Sequence, residues 1–505
     1  MLEHYVKKIL ASRVYDVARE TPLADAPQLS RRLGNRVWLK REDLQPVFSF
    51  KLRGSYNKMV QLSPEDRARG VIAASAGNHA QGVALAAAKL GIKAFIVMGH
   101  NAPEIKINAV RNLGGRVILH GDTFDEAAEH ARALAAQHGY TFVHPFDDPD
   151  VIAGQGTVAV ELLNQHGADI HAIFVPVGGG GLVAGISAYV KYLRPHVRIV
   201  GVEAEGSACL AAALAAKRRV KLPAETLDLF ADGVSVAQVG KETFKVARKC
   251  VDEVIVASTD EICGAIKDIF DETRSIAEPA GALALAGLKK YVERTGVADR
   301  DLVAIVSGAN VNFDRLRHIS ERAELGEKRE AIFAVTIPER PGSFRDFCKT
   351  IGKRSVTEFN YRFADPREAR VYVGLQVGDD GSRESVASAL RVAGYGVEDM
   401  TDNEIAKLHV RHMVGGRTSR AMPESVYRFE FPERPGALMK FLLGLGSKWN
   451  ITMFHYRNHG ADWGRVLCGF EAGPKERAAL ERFLDRIGYR YWEETANAAY
   501  RMFLR

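Results

Sequence analysis

A five-residue motif occurs twice in the C-terminal third of the chain, and it decides how the chain must be divided. Pro338-Glu339-Arg340-Pro341-Gly342 recurs as Pro432-Glu433-Arg434-Pro435-Gly436, 94 positions on (432 − 338). Ser343-Phe344 follows the first copy and Ala437-Leu438 the second. Each copy leads, after a helical stretch, into a matched apolar segment, Val356-Thr357-Glu358-Phe359-Asn360-Tyr361 or Ile451-Thr452-Met453-Phe454-His455-Tyr456. Self-similarity at a fixed offset marks homologous modules. The sequence therefore predicts one module over 330–415 and a second over 425–505, behind a separate unit of residues 1–325. In each module a strand runs into a Pro-Gly turn and a helix begins. N–H groups at a helix start hold carboxylates well, which suits an amino-acid effector. A plain strand–turn–helix connection accounts for the turn equally well.

The first 325 residues follow another pattern. Chains beyond roughly 250–300 residues outgrow a single core, and short β-branched runs here alternate with alanine-rich helical stretches. Val71–Ala74, Ala94–Met98, Arg116–Leu119, Ala172–Val177, Ile199–Glu203 and Leu302–Val306 read as strands; His79–Leu90 and Phe124–His138 read as helices. Such alternation implies βαβ units and a doubly wound, mostly parallel α/β sheet. Strands without polar residues suit a sheet covered on both faces. A small subdomain over residues 45–145 is expected as an insertion in the larger one.

Charge and cysteine usage exclude other classes. The net charge is +7, but basic residues are scattered and form no long block, so no nucleic-acid partner is expected. Cys209, Cys250, Cys263, Cys348 and Cys468 are far apart. They make neither a CxxC metal site nor a disulfide framework, and they fit a reducing, cytoplasmic setting with no metal. Met1–Leu10 is charged throughout and is not read as a signal peptide. No apolar run approaches the ~20 residues of a membrane span.

Four segments carry candidate chemistry. Lys51 lies in Ser49-Phe50-Lys51-Leu52-Arg53-Gly54, downstream of Lys40-Arg41-Glu42-Asp43. By itself it reads as an exposed helix lysine. Ser75-Ala76-Gly77-Asn78-His79 follows a strand and enters a helix, where N–H groups can hold a carboxylate; a capped turn is the plain alternative. Gly178-Gly179-Gly180-Gly181-Leu182 also joins strand to helix. A loop needing one left-handed residue would use one glycine, and four cost chain entropy. The arrangement suits a phosphate cradle. Lysine and Ser/Thr are absent from the positions a nucleotide-binding P-loop requires, so a phosphate on another cofactor fits better. Ser307-Gly308-Ala309-Asn310 follows the last strand and puts a hydroxyl at its C-terminal end.

In this order the segments closely resemble the biosynthetic threonine deaminases (threonine dehydratases, threonine ammonia-lyases). These are fold-type II enzymes dependent on pyridoxal 5′-phosphate (PLP), with tryptophan synthase β-like catalytic domains. The resemblance spans essentially the whole chain and includes Glu278-Pro279-Ala280-Gly281. It implies an α+β regulatory domain of two ACT-like subdomains behind the catalytic one. Lys51 is implied as Schiff-base lysine and base, with Asn78 at the cofactor's 3′-oxygen. Gly178, Gly179, Gly180, Gly181 and Leu182 are implied at its phosphate and Ser307 at its ring nitrogen. A serine there leaves the ring nearer neutral than an aspartate would, which favours elimination over transamination. The family takes the proton for the leaving hydroxyl from the cofactor's phosphate. Ser75, Ala76, Gly77, Asn78 and His79 are implied at the substrate carboxylate. His79 is equally a loop residue, Glu278 either a site acid or a helix-start residue before Pro279, and Arg53 a phosphate contact or a structural ion pair.

The resemblance further implies L-threonine as substrate, 2-oxobutanoate and ammonia as products, and the first committed step of isoleucine biosynthesis. L-Serine is an expected side substrate, since a missing methyl discriminates by only ~1–3 kcal/mol. A homotetramer inhibited by L-isoleucine and relieved by L-valine is implied. The hydrophobic residues at the turn–helix starts, Phe344, Phe347, Leu438 and Leu442, are the candidate effector lining; core packing of an amphipathic helix is the alternative, stronger for Phe347 than for Phe344. Serine dehydratase, threonine synthase and a racemase are the rivals with the same catalytic fold, and the duplicated tail speaks against them. An inactive amino-acid sensor would have lost the lysine or the glycine loop, and both are present.

Overall fold

The computed structural model describes residues 1–227, 229–326, 330–338, 347, 350–351, 356–361, 368–378, 380–412, 423–432, 451–457, 463–473 and 475–504. The chain divides into two compact units, Met1–Phe313 and Asp314–Arg505.

The first unit holds two sheets. Strands β1 (Leu23–Asp25) and β2 (Arg36–Arg41) open the chain, followed by β3 (Val71–Ala74), β4 (Ala94–Met98), β5 (Arg116–Leu119) and β6 (Thr141–Phe142). β3 to β6 form a small parallel sheet in the order β5-β4-β3-β6. β3 is buried along its whole length. Val71 and Ala73 pack into the core of the helix Asn78–Leu90, while Ile72 and Ala74 pack against Ala127, Ala128 and Ala131 of the helix Phe124–His138. Successive side chains of a strand point to opposite faces, so a strand covered on both sides has no polar position.

β7 (Ile170–Pro176), β8 (Arg198–Ala204), β9 (Glu253–Ala257) and β10 (Asp301–Val306) join β1 and β2 in the large sheet. Its order is β1-β2-β10-β7-β8-β9, parallel except for β1. β10, last in sequence, thus lies between the first parallel strand and β7. The chain after β10 and the chain after β2 leave the sheet at the same edge, which sets Ser307 beside the segment leading to Lys51.

The second unit begins with the helix Arg315–Gly326 and then shows the same set of elements twice, four strands with a helix between the third and the fourth. The first module has β11 (Glu330–Pro338), β12 (Val356–Tyr361), β13 (Glu368–Gln376), the helix Asp380–Val392 and β14 (Gly396–Asp399). The second has β15 (Glu424–Pro432), β16 (Ile451–Arg457), β17 (Trp463–Glu471), the helix Arg477–Ile487 and β18 (Arg490–Glu493). Both sheets are antiparallel, ordered β12-β13-β11-β14 and β16-β17-β15-β18. The first and last strands of each module keep the sequence offset: β15 follows β11 by 94 positions (424 − 330), and β18 follows β14 by 94 (490 − 396). Ala331, Phe333 and Val335 of β11 pack beneath their own module's helix. Ile332, Ala334 and Tyr372 face the other way and share one core with Val426, Leu467, Tyr500 and Leu504 of the second module.

Phe347 is buried among the apolar residues of the first module, edge-on to Tyr395 at 6.0 Å between ring centroids. It is core. Phe344, Leu438 and Leu442 lie outside the described residues. Among the described residues no helix is long and apolar enough to cross a membrane, and no group of His, Cys, Asp and Glu is arranged to hold a metal.

Candidate active site

Lys51 is placed by a short antiparallel contact between distant parts of the chain. Phe50 N–H donates to Ser307 O at 3.3 Å, Ala309 N–H donates to Phe48 O at 2.8 Å, and Ser49 bridges Gly308. The helix Lys51–Met59 starts at once, so the lysine occupies its first position. Its Nζ donates to Pro145 O at 3.1 Å and stands 5.3 Å from the centroid of the Phe50 ring. Burial lowers its pKa to about 8, against the opposing charge of Glu278. Removing an ammonium from water disfavours the charged form, and the neutral amine is the form that can attack a carbonyl or take a proton.

The loop after β3 brings Ser75, Ala76, Gly77 and Asn78 to a helix start. Ser75 Oγ accepts from Gly77 N–H at 3.2 Å, which shapes the turn. The helix begins at Asn78, and its first N–H groups have no partner one turn back. The His79 ring is turned away from this group. It is buried, with Nε2 2.8 Å from Val143 O and Nδ1 3.3 Å from Ser55 Oγ. Facing a carbonyl, Nε2 carries the proton. The ring is a structural pin under the Lys51 helix, and only the His79 main chain stays at the helix start.

Burial drives the His79 pKa down to about 3, helped by the charge on Lys51. His144 falls to about 4, chiefly by burial. Both folded values lie below the 6.5 of a free histidine, so the unfolded chain takes up protons first. Their contribution to stability is full above pH 6.5 and is lost as the pH falls toward 4 and 3. Each group then weakens folding by about 1.4 kcal/mol per pH unit. The melting temperature should drop across this window, and His79→Gln should flatten part of the slope. An unchanged slope in that variant would refute the assignment of His79 as a buried neutral ring.

The glycine loop turns out to have a reason for each of its glycines. Only Gly180, at φ +92°, is left-handed. A Cβ on Gly178 would come within 3.0 Å of the Val234 main chain, one on Gly179 would overlap the Phe146 ring, and one on Gly181 would come within 3.0 Å of Phe146. Gly179 O is held by Gly240 N–H at 3.1 Å and by Thr243 Oγ1 at 2.8 Å. The helix Gly181–Leu193 makes its first internal bond from Ala184 N–H to Gly180 O at 3.0 Å. The N–H groups of Gly181, Leu182 and Val183 precede that bond and point out of the helix end, where an anion is favoured.

Ser307 follows β10, is buried, and donates its hydroxyl to Ala280 O at 3.2 Å. Ala280 lies in the first turn of the helix Pro279–Thr295, whose preceding residue is Glu278. Glu278 does not cap this helix through its side chain. Its Oε1 instead accepts from Asn78 Nδ2 at 2.5 Å, and its main-chain N–H donates to Gly308 O at 3.1 Å. Asn310 Nδ2 lies 2.6 Å from Asn78 Oδ1. Residues from three parts of the sequence therefore meet around Asn78.

Arg53, two positions after Lys51, faces the opposite way. Its five donors meet Glu42, Glu161, Thr157 and the Arg19 carbonyl, with the carboxylates at 2.7–2.8 Å. Lys40 joins Glu161 at 2.7 Å and Thr21 O at 2.6 Å, and Arg41 pairs with Asp43 at 2.7 Å. All of these side chains are buried. The cluster is a structural ion network, and no donor of Arg53 is left for a phosphate.

Two segments that sequence reasoning passed over complete the site. His144-Pro145-Phe146-Asp147 follows β6. His144 Nδ1 accepts from Phe146 N–H at 3.2 Å and Asp147 N–H at 2.8 Å. This turn offers the Pro145 carbonyl to Lys51 and the Phe146 ring to Gly179 and Gly181. Asp147 accepts from Lys241 N–H at 2.8 Å and Glu242 N–H at 2.7 Å, holding the helix Lys241–Cys250 beside the loop. The second segment, Gly233-Val234, borders both Gly178 and the Asn78–Glu278 pair. Ligands gather at the C-terminal ends of parallel strands, and that rule would have flagged His144, but a two-residue strand leaves no periodicity to read.

One turn thus ties an amine of lowered pKa to a cradle free of side chains. The amine is suited to a carbonyl and the cradle to a phosphate. Beside Lys51, Ser49 Oγ is buried without a protein partner. A phosphorylated aldehyde satisfies both demands, and pyridoxal 5′-phosphate fits the residues present: the fold and site define a PLP-dependent enzyme. Residues 14–308 match the family described as pyridoxal-phosphate dependent enzyme, and residues 321–410 and 415–504 each match the C-terminal regulatory domain of threonine dehydratase. The chain is 55% identical over 503 residues to the biosynthetic L-threonine dehydratase of Burkholderia multivorans, covering 99% of both chains. It is 53% identical over 501 residues to that of Escherichia coli, covering 99% of this chain and 97% of the relative. Among solved structures, a processed threonine deaminase isoform 2 from Solanum lycopersicum matches with TM-score 0.62 and 51% identity, over 64% of this chain and 93% of that one. A serine racemase from Dictyostelium discoideum matches with TM-score 0.57 and 31% identity, over 61% of this chain and 99% of that one. The chain belongs to the biosynthetic threonine dehydratases.

Proposed function

We propose that the chain converts L-threonine to 2-oxobutanoate and ammonia, with Lys51 as the group that holds the cofactor and moves the Cα proton. The observation that carries this reading is the Lys51 amine, with its pKa lowered to about 8 and its N–H turned to the Pro145 carbonyl. A carbonyl partner accepts an N–H and leaves the nitrogen lone pair free to take a proton. The Ser75–Gly77 loop and the helix start at Asn78 orient the substrate carboxylate. Gly178, Gly179, Gly180, Gly181 and Leu182 receive the phosphate. Ser307 presents a neutral hydroxyl to the ring nitrogen, and Glu278 acts through Asn78. The cofactor, when bound, supplies the electron sink that acidifies the Cα–H bond. Water is lost across Cα and Cβ and regained when the released enamine hydrolyses, so the net change is loss of ammonia.

L-Serine is taken as a side substrate. L-Isoleucine inhibits and L-valine relieves, the effectors binding at Phe344, Leu438 and Leu442 in a cytoplasmic homotetramer. The shared core of the two modules supports a coupled response, since a ligand in one strains packing that belongs to both. An inhibitor with a 100-fold preference for the low-activity state supplies about 2.7 kcal/mol of coupling. The test is 2-oxobutanoate formation from L-threonine, with and without L-isoleucine. The expected result is turnover that isoleucine suppresses and that Leu442→Phe makes less sensitive. No 2-oxobutanoate from the PLP-loaded chain would sink the reading, and undiminished inhibition of Leu442→Phe would sink the effector lining.

A further inference from the structure

The amide groups around Asn78 form a chain whose direction follows from donor and acceptor chemistry alone. At one end is the main-chain carbonyl of Val47, which can only accept. Asn310 Nδ2 lies 2.8 Å from it, so Asn310 must turn its nitrogen to this oxygen. The same nitrogen lies 2.6 Å from Asn78 Oδ1. An amide nitrogen brings two protons and no lone pair to share, so Asn78 must offer its oxygen there. Its own nitrogen is thereby sent to the other side, where Glu278 Oε1 accepts at 2.5 Å. One N–H of Asn78 remains. Gly233 borders the pair: a Cβ there would stand 4.0 Å from Asn78 Nδ2 and 3.9 Å from Glu278 Oε1.

We propose that Asn310 is a positioning residue: anchored on the Val47 carbonyl, it fixes the Asn78 amide with its nitrogen toward Glu278 and its free N–H toward the cofactor. This deepens the reading of Asn78 as a cofactor contact and rests on it. The anchor is well chosen for the task. Val47 and Asn310 flank the strip in which Phe48–Phe50 pairs with Ser307–Ala309, so the relay is referenced to the same contact that places Lys51. An Asn310→Asp side chain would bring only acceptors to the Val47 carbonyl and Asn78 Oδ1. Asn78 is then driven to turn its nitrogen to residue 310 and its oxygen to Glu278. Asn310→Ala removes the constraint without reversing it.

The experiment uses the full-length holoenzyme and four proteins: wild type, Asn78→Ala, Asn310→Ala and Asn310→Asp. It reads the visible absorption of bound PLP against pH, the PLP dissociation constant and the melting temperature. The expected result is a dissociation constant about tenfold higher in Asn310→Asp, the effect of roughly one lost hydrogen bond. Asn310→Ala should weaken PLP less, and both variants should move the pH midpoint of the visible band in the direction Asn78→Ala moves it. If Asn78→Ala moves the midpoint while both Asn310 variants keep wild-type midpoint and affinity, the relay is refuted, whatever their melting temperatures. If Asn78→Ala moves neither quantity, the reading of Asn78 fails first and takes the relay with it. Should Asn310→Asp fail to fold, Asn310→Ala alone decides.

Discussion

Lys51→Ala should lower threonine turnover by at least about 10⁴-fold, since one side chain both holds the cofactor and moves the proton. The same variant should melt at or slightly above the wild-type temperature. The only protein hydrogen bond described for Nζ is to Pro145 O, and burial already disfavours its charge. Removing a desolvated amine leaves no buried partner charge behind except that of Glu278, which keeps its bond to Asn78. Isoleucine binding, followed by calorimetry, should persist. Borohydride reduction of the wild type should bleach its yellow colour and leave the label on Lys51. Label on another lysine, or turnover within 100-fold of wild type, would overturn the central assignment.

Arg53→Met should produce the opposite pattern, a large loss of stability. Arg53 satisfies Glu42 and Glu161, both buried; its removal leaves Glu161 paired with Lys40 and leaves Glu42 only the neutral donors Thr21 and Gln45. Breaking a buried ion pair from one side costs about 3–5 kcal/mol, because the remaining charge stays desolvated. A melting temperature lower by roughly 10 °C should follow. Scanning calorimetry measures it directly. A loss below about 1 kcal/mol would mean that the network is solvated and does not hold the Lys51 helix. The two variants sit two positions apart on one helix, so the contrast separates chemistry from scaffold.

How far the sequence reveals this molecule depends on the distance over which each feature is decided. The duplicated motif is local, and its 94-residue offset reappears as the spacing of β11 and β15. Val71–Ala74 is legible as a doubly covered strand because burial on both faces leaves no polar residue in it. The glycine loop is half legible. Four glycines announce that something besides a left-handed residue is at stake, but the reason for three of them is a long-range contact. Phe146 and Val234 press on the loop from elsewhere in the chain, and nothing near Gly178 records it. His79 is misleading for the same reason: it stands beside Asn78 in sequence, while its ring belongs to Ser55 and Val143. Arg53 reads either way until its five donors can be counted. The turn at His144 follows a strand of two residues and has no pattern to find.

The contact between Ser49 and Gly308 also sets a timetable. The two residues are 259 positions apart (308 − 49). A ribosome adding about 5–20 residues per second takes roughly 13–50 s to cover that distance. For all that time the segment carrying Lys51 is outside the exit tunnel without the strip it must pair with, and β2 lacks β10. The regulatory modules face no such delay, because β11 and β14 pair across 60 to 66 positions (396 − 336 to 399 − 333) and can close soon after they emerge. During synthesis the catalytic unit is the part that stays incomplete longest, and the cofactor's binding site is among the last of its features to exist.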